Sequence, residues 1–118
     1  MDIESIRDYC LSKPGTTEEF PFGDEVLVFK VMGKMYLLVN LERTPLSINL
    51  KCDPERALEL RERFVAVHPG YHMSKKHWNT VVLEGDVPSD TLRGWIDDSY
   101  ALVVQKLRKR DREALAQP

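Results

Sequence analysis

Three short β-type runs, joined by turns of a few residues, constrain the fold of this chain more than any other feature. Residues 26–31 are rich in β-branched side chains, Met32-Gly33 supplies a turn, and residues 35–40 resume the apolar run. After a second turn at residues 42–45, apolar and polar residues alternate. Strands joined by such short turns must be antiparallel, and the alternation indicates one buried and one hydrated face. The apolar set is Leu46, Ile48 and Leu50, and the polar set is Ser47, Asn49 and Lys51.

Helical periodicity flanks these strands. Residues 3–12 carry apolar side chains at helical spacing, and Pro14-Gly15 ends that helix. Asp53 and Pro54 begin a second helix, as N-cap and first helical residue. Apolar residues from Leu92 to Leu107 follow the helical period and predict one long last helix, which Ser89 or Asp90 caps and whose solvated end is residues 106–112.

Two further segments complete the outline. Residues 16–23 predict an ordered connection in which the rings of Phe20 and Phe22 tuck under the sheet. Residues 78–84 are rich in β-formers and end at Gly85-Asp86. The predicted order is helix, three strands, helix, one or two strands, helix. This is a two-layer α+β domain, with an antiparallel sheet and helices packed on one face, that spans residues 1–118 as one unit.

Composition excludes several classes of protein. No apolar run approaches the roughly 20 residues needed to cross a bilayer, so we expect no membrane partner. The charged N-terminus matches neither a secretory signal nor a basic transit peptide, which predicts a cytoplasmic location. Cys10 and Cys52 form no paired metal-binding motif and are interpreted as small apolar residues. The net charge is −2, so any nucleic-acid surface must be local.

The densest cluster of binding chemistry lies between His68 and Thr80. It contains all three histidines, two adjacent lysines and Trp78. Extending the strand alternation to residues 26–40 turns Met35 inward and places further lysines and an aromatic ring on the open side of the sheet. Cations and aromatic rings on a sheet are the components of a phosphate- and base-contacting surface. The candidate nucleic-acid-binding residues are Lys30, Lys34, Tyr36, Lys51, His72, Lys75, Lys76, His77 and Trp78.

Several stretches also resemble the MmcQ/YjbR-like domain family over nearly the whole chain. They are residues 9–15, 29–35, 46–51 and 71–81, the last reading Tyr-His-Met-Ser-Lys-Lys-His-Trp-Asn-Thr-Val, together with Asp98-Ser99-Tyr100. The resemblance implies a compact antiparallel α+β fold described as frataxin-like or secretion-chaperone-like. It also implies the family's DNA-binding, double-wing label. No catalytic residue set comes with it.

Two hypotheses of function follow, and a third is less supported. The first is DNA binding through the basic, aromatic-bearing sheet face and the loop at residues 68–80. The second is a protein-interaction module without catalysis, and the third is an enzyme or small-ligand binder. The spacing of the histidines matches no compact metal motif, so we expect no metal and no cofactor. Trp78 is either a core residue or a contact residue. Oligomeric state stays open.

Overall fold

The computed structural model describes residues 1–71 and 73–117, which form four helices and six strands. Most of the predicted elements appear close to their predicted bounds. In chain order they are α1 (Ile3–Leu11), β1 (Thr16–Glu19), β2 (Val26–Val31), β3 (Lys34–Asn40), β4 (Ser47–Lys51), α2 (Pro54–Arg63), β5 (Val67–Pro69), β6 (Trp78–Val82), α3 (Ser89–Gln105) and α4 (Lys109–Ala116).

The six strands form one antiparallel sheet in the order β1-β2-β3-β4-β6-β5. Side chains from α1, α2 and α3 pack against the same set of strand residues, so the helices cover one face. Ile48 and Leu50 point into this layer, as their alternation predicts. The other side of the sheet, here called the open face, carries no helix in the described part of the chain. The predicted α+β fold is confirmed.

Local sequence accounts for the ends of several elements. The Asp53 carboxylate accepts a hydrogen bond from the Arg56 backbone N–H, and Pro54 occupies the first turn of α2, as predicted. Met32 and Gly33 have φ angles of 48° and 82°, which is the left-handed pair that a two-residue hairpin turn requires. This turn fixes the pairing of β2 with β3.

Residues 16–23 were predicted as a connection, and that prediction was wrong. Thr16–Glu19 forms an edge strand that pairs with β2. Because this strand ends at the rim of the sheet, the rings that follow it are not tucked beneath. Phe20 is 49% exposed and Phe22 is 62% exposed.

The C-terminal helical region also differs from its prediction. Pro88, not Ser89 or Asp90, is the N-cap of α3, and no side chain caps it. Asp90 instead pairs with Arg93 at 2.8 Å. The helix ends at Gln105, Leu107 is buried in the core, and a separate helix α4 follows. Within the described residues no helix is both long enough and apolar enough to span a membrane.

Candidate functional site

The predicted lysines do not converge on one surface. Lys30 lies on β2, and its ammonium pairs with the Glu19 carboxylate at 3.3 Å, so its charge is partly neutralised. Hydrogen bonds from Thr17 and Lys30 hold the pKa of Glu19 below its usual value. Lys34 is exposed beside the hairpin turn. Lys51 ends β4, where it pairs with Trp78 in the sheet register, and it also lines a cleft on the helix side.

Tyr36 and Met35 have exchanged sides relative to the prediction. A β-bulge interrupts the pairing of β2 with β3 at this point, since Phe29 pairs with Leu37 but Lys30 pairs with Met35. A bulge inserts one residue and reverses the alternation beyond it. Tyr36 is therefore fully buried on the helix side, where its hydroxyl bonds to Thr16 at 2.9 Å. Tyr36 cannot stack on a base.

Trp78 does lie on the open face, but it is a packed residue. It is 8% exposed and forms a cluster with Val28 and Leu38 on that face. Partly buried Met35 and Met73 pack against the cluster. The alternative between core and contact residue is settled in favour of packing, and the cluster makes a rigid apolar floor for the face above it.

The two lysines of the loop before β6 differ in which hollows they line. The Lys75 ammonium donates to the Gly70 carbonyl at 3.2 Å and lines a hollow on the open face. Lys76 lines a small hollow beside α2, with Pro54 and Leu58, and Lys75 borders this hollow as well. The side chain of His77 is half-buried, and its carbonyl accepts a hydrogen bond from the Cys52 N–H at 2.8 Å. His72 lies outside the described residues.

Two adjoining hollows occupy the open face, and Arg43, one of the four residues that line both, was not among the predicted ones. The first has a volume of about 420 Å³ and the second about 440 Å³. We call them together the Arg43 hollows. The first is lined by Phe22, Val26, Met35, Leu38, Asn40, Arg43, Ser47, Asn49, Tyr71, Met73, Ser74 and Thr80, and the second by Arg43, Pro45, Ser47, His68, Pro69, Tyr71, Lys75, Thr80 and Val82.

Aromatic and polar contacts fix the shape of these hollows. The Arg43 guanidinium lies 3.5 Å from the centroid of the Tyr71 ring, which is a close cation–π stack. The Tyr71 N–H donates to the Thr80 hydroxyl at 3.0 Å, and that hydroxyl donates to the Asn49 side chain at 2.6 Å. The β4 and β6 polar residues on the open face therefore hold the Tyr71 backbone in place.

Charge is distributed unevenly around the Arg43 hollows. Arg43 and Lys75 line them, His68 stands at the second, and no Asp or Glu belongs to either lining among the described residues. The chain as a whole has 19 acidic residues, so a lining free of carboxylates sets this surface apart. It suits an anionic ligand with planar or apolar parts.

Within residues 1–71 and 73–117 there is no group of three or more His, Cys, Asp or Glu side chains placed to hold a metal ion. Cys52 is half-buried, and burial raises the pKa of its thiol, which keeps it protonated and a poor ligand.

Comparisons with known proteins give a consistent family match. The YjbR family model matches residues 11–102. The protein YbdF of Escherichia coli O157:H7 is 39% identical over 117 residues, which cover 96% of each chain. The protein YjbR of Escherichia coli K12 is 31% identical over 99% of each chain. Both relatives are described as uncharacterized proteins.

Two solved structures share the fold. The crystal structure of protein DR2400 of Deinococcus radiodurans, assigned to the domain DUF419, superposes with a TM-score of 0.90 at 43% identity, covering 98% of this chain and 88% of that one. The crystal structure of a Pseudomonas syringae protein superposes with a TM-score of 0.76 at 29% identity, covering 86% of this chain and 98% of that one.

Proposed function

The chain belongs to the YjbR family, and from its open face we propose that it binds single-stranded nucleic acid. The observation that carries the proposal is the pair of carboxylate-free Arg43 hollows, where Arg43 and Lys75 stand beside the rings of Tyr71 and Phe22. Cations supply contacts to phosphate, and exposed rings supply stacking surfaces for bases. The composition of this surface therefore differs from that of the lysine-rich sheet surface predicted from the sequence.

Unpaired bases fit this surface better than a duplex does. Phe22 is 62% exposed, and Tyr71 is 49% exposed although Arg43 covers one face of its ring, which leaves aromatic surface for an unstacked base. Each hollow lies within the roughly 300–1,000 Å³ range of small-ligand pockets, so it has room for a nucleobase. Duplex binding relies on rows of cations that track both phosphate backbones, and Arg43 and Lys75 form no such row.

The proposal predicts weak and salt-dependent binding. Each phosphate contact on a single strand contributes about −0.7 to the slope of log affinity against log salt. Two contacts, one from Arg43 and one from Lys75, give a slope of about −1.4. Replacing either residue with glutamine removes a charge and reduces the magnitude of the slope by about 0.7.

Fluorescence anisotropy with labelled oligothymidylate, read at several salt concentrations, tests this prediction. Lys76→Gln is the matched control, because it removes a neighbouring charge that lines the small hollow beside α2. We expect weaker binding and shallower slopes for Arg43→Gln and Lys75→Gln, with Lys76→Gln close to the wild type. Binding that is absent at low salt, or that falls equally in all three variants, contradicts the proposal.

A protein partner is the second candidate for the same face. Met35 and Met73 line the first hollow above an apolar floor, and methionine-rich surfaces adapt to many apolar side chains. Such binding depends on apolar contact, so it is insensitive to salt and to Arg43→Gln but is weakened by Phe22→Ser. A salt-insensitive complex with these responses favours the protein-interaction hypothesis over nucleic acid.

A further inference from the structure

A second cleft lies on the helix side of the sheet, between α2 and α3. Its volume is about 400 Å³, and we call it the Cys52 cleft. The strands β4 and β6 form its floor through Leu50 and Val81, and Leu60 and Trp95 form apolar walls. The sheet separates it from the Arg43 hollows, so occupation of one site does not require occupation of the other.

The walls of the Cys52 cleft are preformed. Trp95 packs edge-to-face against Phe64, with ring centroids 5.2 Å apart, which fixes its indole ring. Leu102 is half-buried, and Ala101 at the mouth is exposed with only a methyl side chain. An apolar ligand can enter past Ala101 without rearrangement of the core, because the space between α2 and α3 is already open.

Positive charge without a partner stands at one edge of the cleft. Lys51 is half-buried there, and none of the ion pairs formed within the described residues involves it. Burial lowers the pKa of Lys51, and the charge of Lys106 lowers it further, so an anion at this edge favours the charged ammonium.

The lining also contains one further cation, Arg56, and two carboxylates, Asp53 and Asp98. The Asp53 carboxylate is engaged by the backbone of α2, where it accepts the Arg56 N–H. Asp98 is exposed to solvent on α3, where its charge is well hydrated. Cys52 lines the cleft as a thiol whose pKa is raised by burial, so it contributes an apolar contact and no nucleophile.

We propose that the Cys52 cleft binds a small amphipathic carboxylate, with its apolar chain against Trp95 and Leu50 and its carboxylate on Lys51. The apolar floor gives the affinity, and the cation at the edge gives the preference for a negative headgroup. A charged hydrogen bond of this kind makes the carboxylate bind roughly tenfold more tightly than the matching alcohol.

Trp95 is a built-in reporter for this site. The chain has two tryptophans, so Trp78→Phe leaves Trp95 as the sole tryptophan, which is excited selectively over the tyrosines. Decanoate, decanol and decyltrimethylammonium are titrated below their micelle concentrations at neutral pH. The expected order of affinity is decanoate, then decanol, then the cation. The indole N–H resonance of Trp95 in the wild type supplies the same measurement if Trp78→Phe perturbs the fold.

Two variants with matched controls complete the test. Lys51→Met keeps the aliphatic stem and is expected to reduce decanoate affinity to that of decanol, whereas Lys34→Met changes nothing. Ala101→Phe fills the mouth and is expected to weaken all binding at least tenfold, whereas the exposed Ala114→Phe on α4 does not. Equal affinity for the three probes in the wild type, or unchanged binding in Ala101→Phe, overturns the proposal.

Discussion

Ser99 joins α3 to two strands through one hydroxyl group. It is fully buried, accepts a hydrogen bond from the Lys51 N–H at 2.8 Å, and donates to the Tyr36 carbonyl at 2.6 Å. The sequence places Ser99 on the apolar side of the last helix by periodicity. Its partners lie 48 and 63 residues away, so no local pattern predicts what it binds.

Removing this hydroxyl leaves two backbone groups without their partner. Ser99→Ala is expected to lower the free energy of unfolding by about 1–3 kcal/mol, the range for an unsatisfied buried group. Urea unfolding measures it. Ser89→Ala, at an exposed serine on the same helix, is the control and is expected to change stability little. Equal effects of the two substitutions contradict the assigned role of Ser99.

Tyr36 shows that the face on which a single strand residue lies cannot always be predicted from the sequence. Strict alternation predicts it on the open face beside Lys34, and alternation is correct for Leu37 and Val39 on the same strand. The bulge beside Tyr36 cannot be recognised from residue type, because methionine and tyrosine both occur on the buried and on the partly exposed faces of sheets. A single inserted residue therefore removes one ring from the predicted site.

At the scale of elements, α1 is tied to α3 by a small polar group of side chains. Asp97 accepts hydrogen bonds from the Tyr9 hydroxyl, at 2.6 Å, and from the Lys13 ammonium. The Lys13 ammonium also lies over the rings of Tyr9 and Tyr100. Burial alone would raise the pKa of Asp97, but the bonds from Lys13 and Tyr9 bring it below its usual value of 3.8.

This contact makes stability depend on pH in a defined direction. A carboxylate with a lowered pKa in the folded state stabilises the fold above its unfolded pKa, and the contribution disappears as pH falls through the folded pKa. The advantage of the wild type over Asp97→Asn is expected to be at most about 1 kcal/mol near neutral pH, because Asp97 is half exposed. It should shrink below about pH 4. Thermal unfolding across pH 3–7 measures it, and a constant difference contradicts the assignment.

The turn into β6 depends on a glycine. A Cβ at Gly70 would lie 2.8 Å from the Trp78 Cβ and 2.9 Å from the Trp78 carbonyl oxygen, which no side chain tolerates. Gly70→Ala is expected to destabilise the fold by about 1–3 kcal/mol through this overlap. Gly94→Ala is the matched control. It lies in α3 with open space around it and is expected to stabilise the protein by about 0.5–1 kcal/mol. Calorimetry compares them, and a stable Gly70→Ala variant contradicts the packing.

The elements themselves were predicted with uneven success. Elements whose sequence has a clear hydrophobic period or a helix cap appear as predicted. Examples are the alternating strand β4 and the helix α2, which Asp53 caps. The edge strand β1 has the sequence Thr-Thr-Glu-Glu, which lacks apolar alternation, and its strand state comes from pairing with β2. Tertiary pairing of this kind cannot be inferred from a local window.

For the whole molecule, the distribution of charge is the main result. The sequence predicted that one sheet face is free of helices and takes part in binding, and the described residues leave that face uncovered. It did not predict Arg43, because a lone arginine in a turn carries no pattern. Nor did it predict that, of the adjacent Lys75 and Lys76, Lys75 lines an open-face hollow and Lys76 does not. The candidate site therefore keeps Lys75 from the sequence prediction and gains Arg43, Tyr71 and Phe22 from the fold.

Backbone amide chemical-shift mapping during a titration with oligothymidylate tests the central claim most directly. The account predicts shifts confined to residues around the Arg43 hollows, in the connection at residues 20–26, the turn at residues 41–47, the segments 68–71 and 73–75 and the ends of β3 and β6. The amides of α2 and α3 should stay unchanged. Shifts concentrated on the helix side, or spread evenly over both faces, would contradict the proposal that the open face binds nucleic acid.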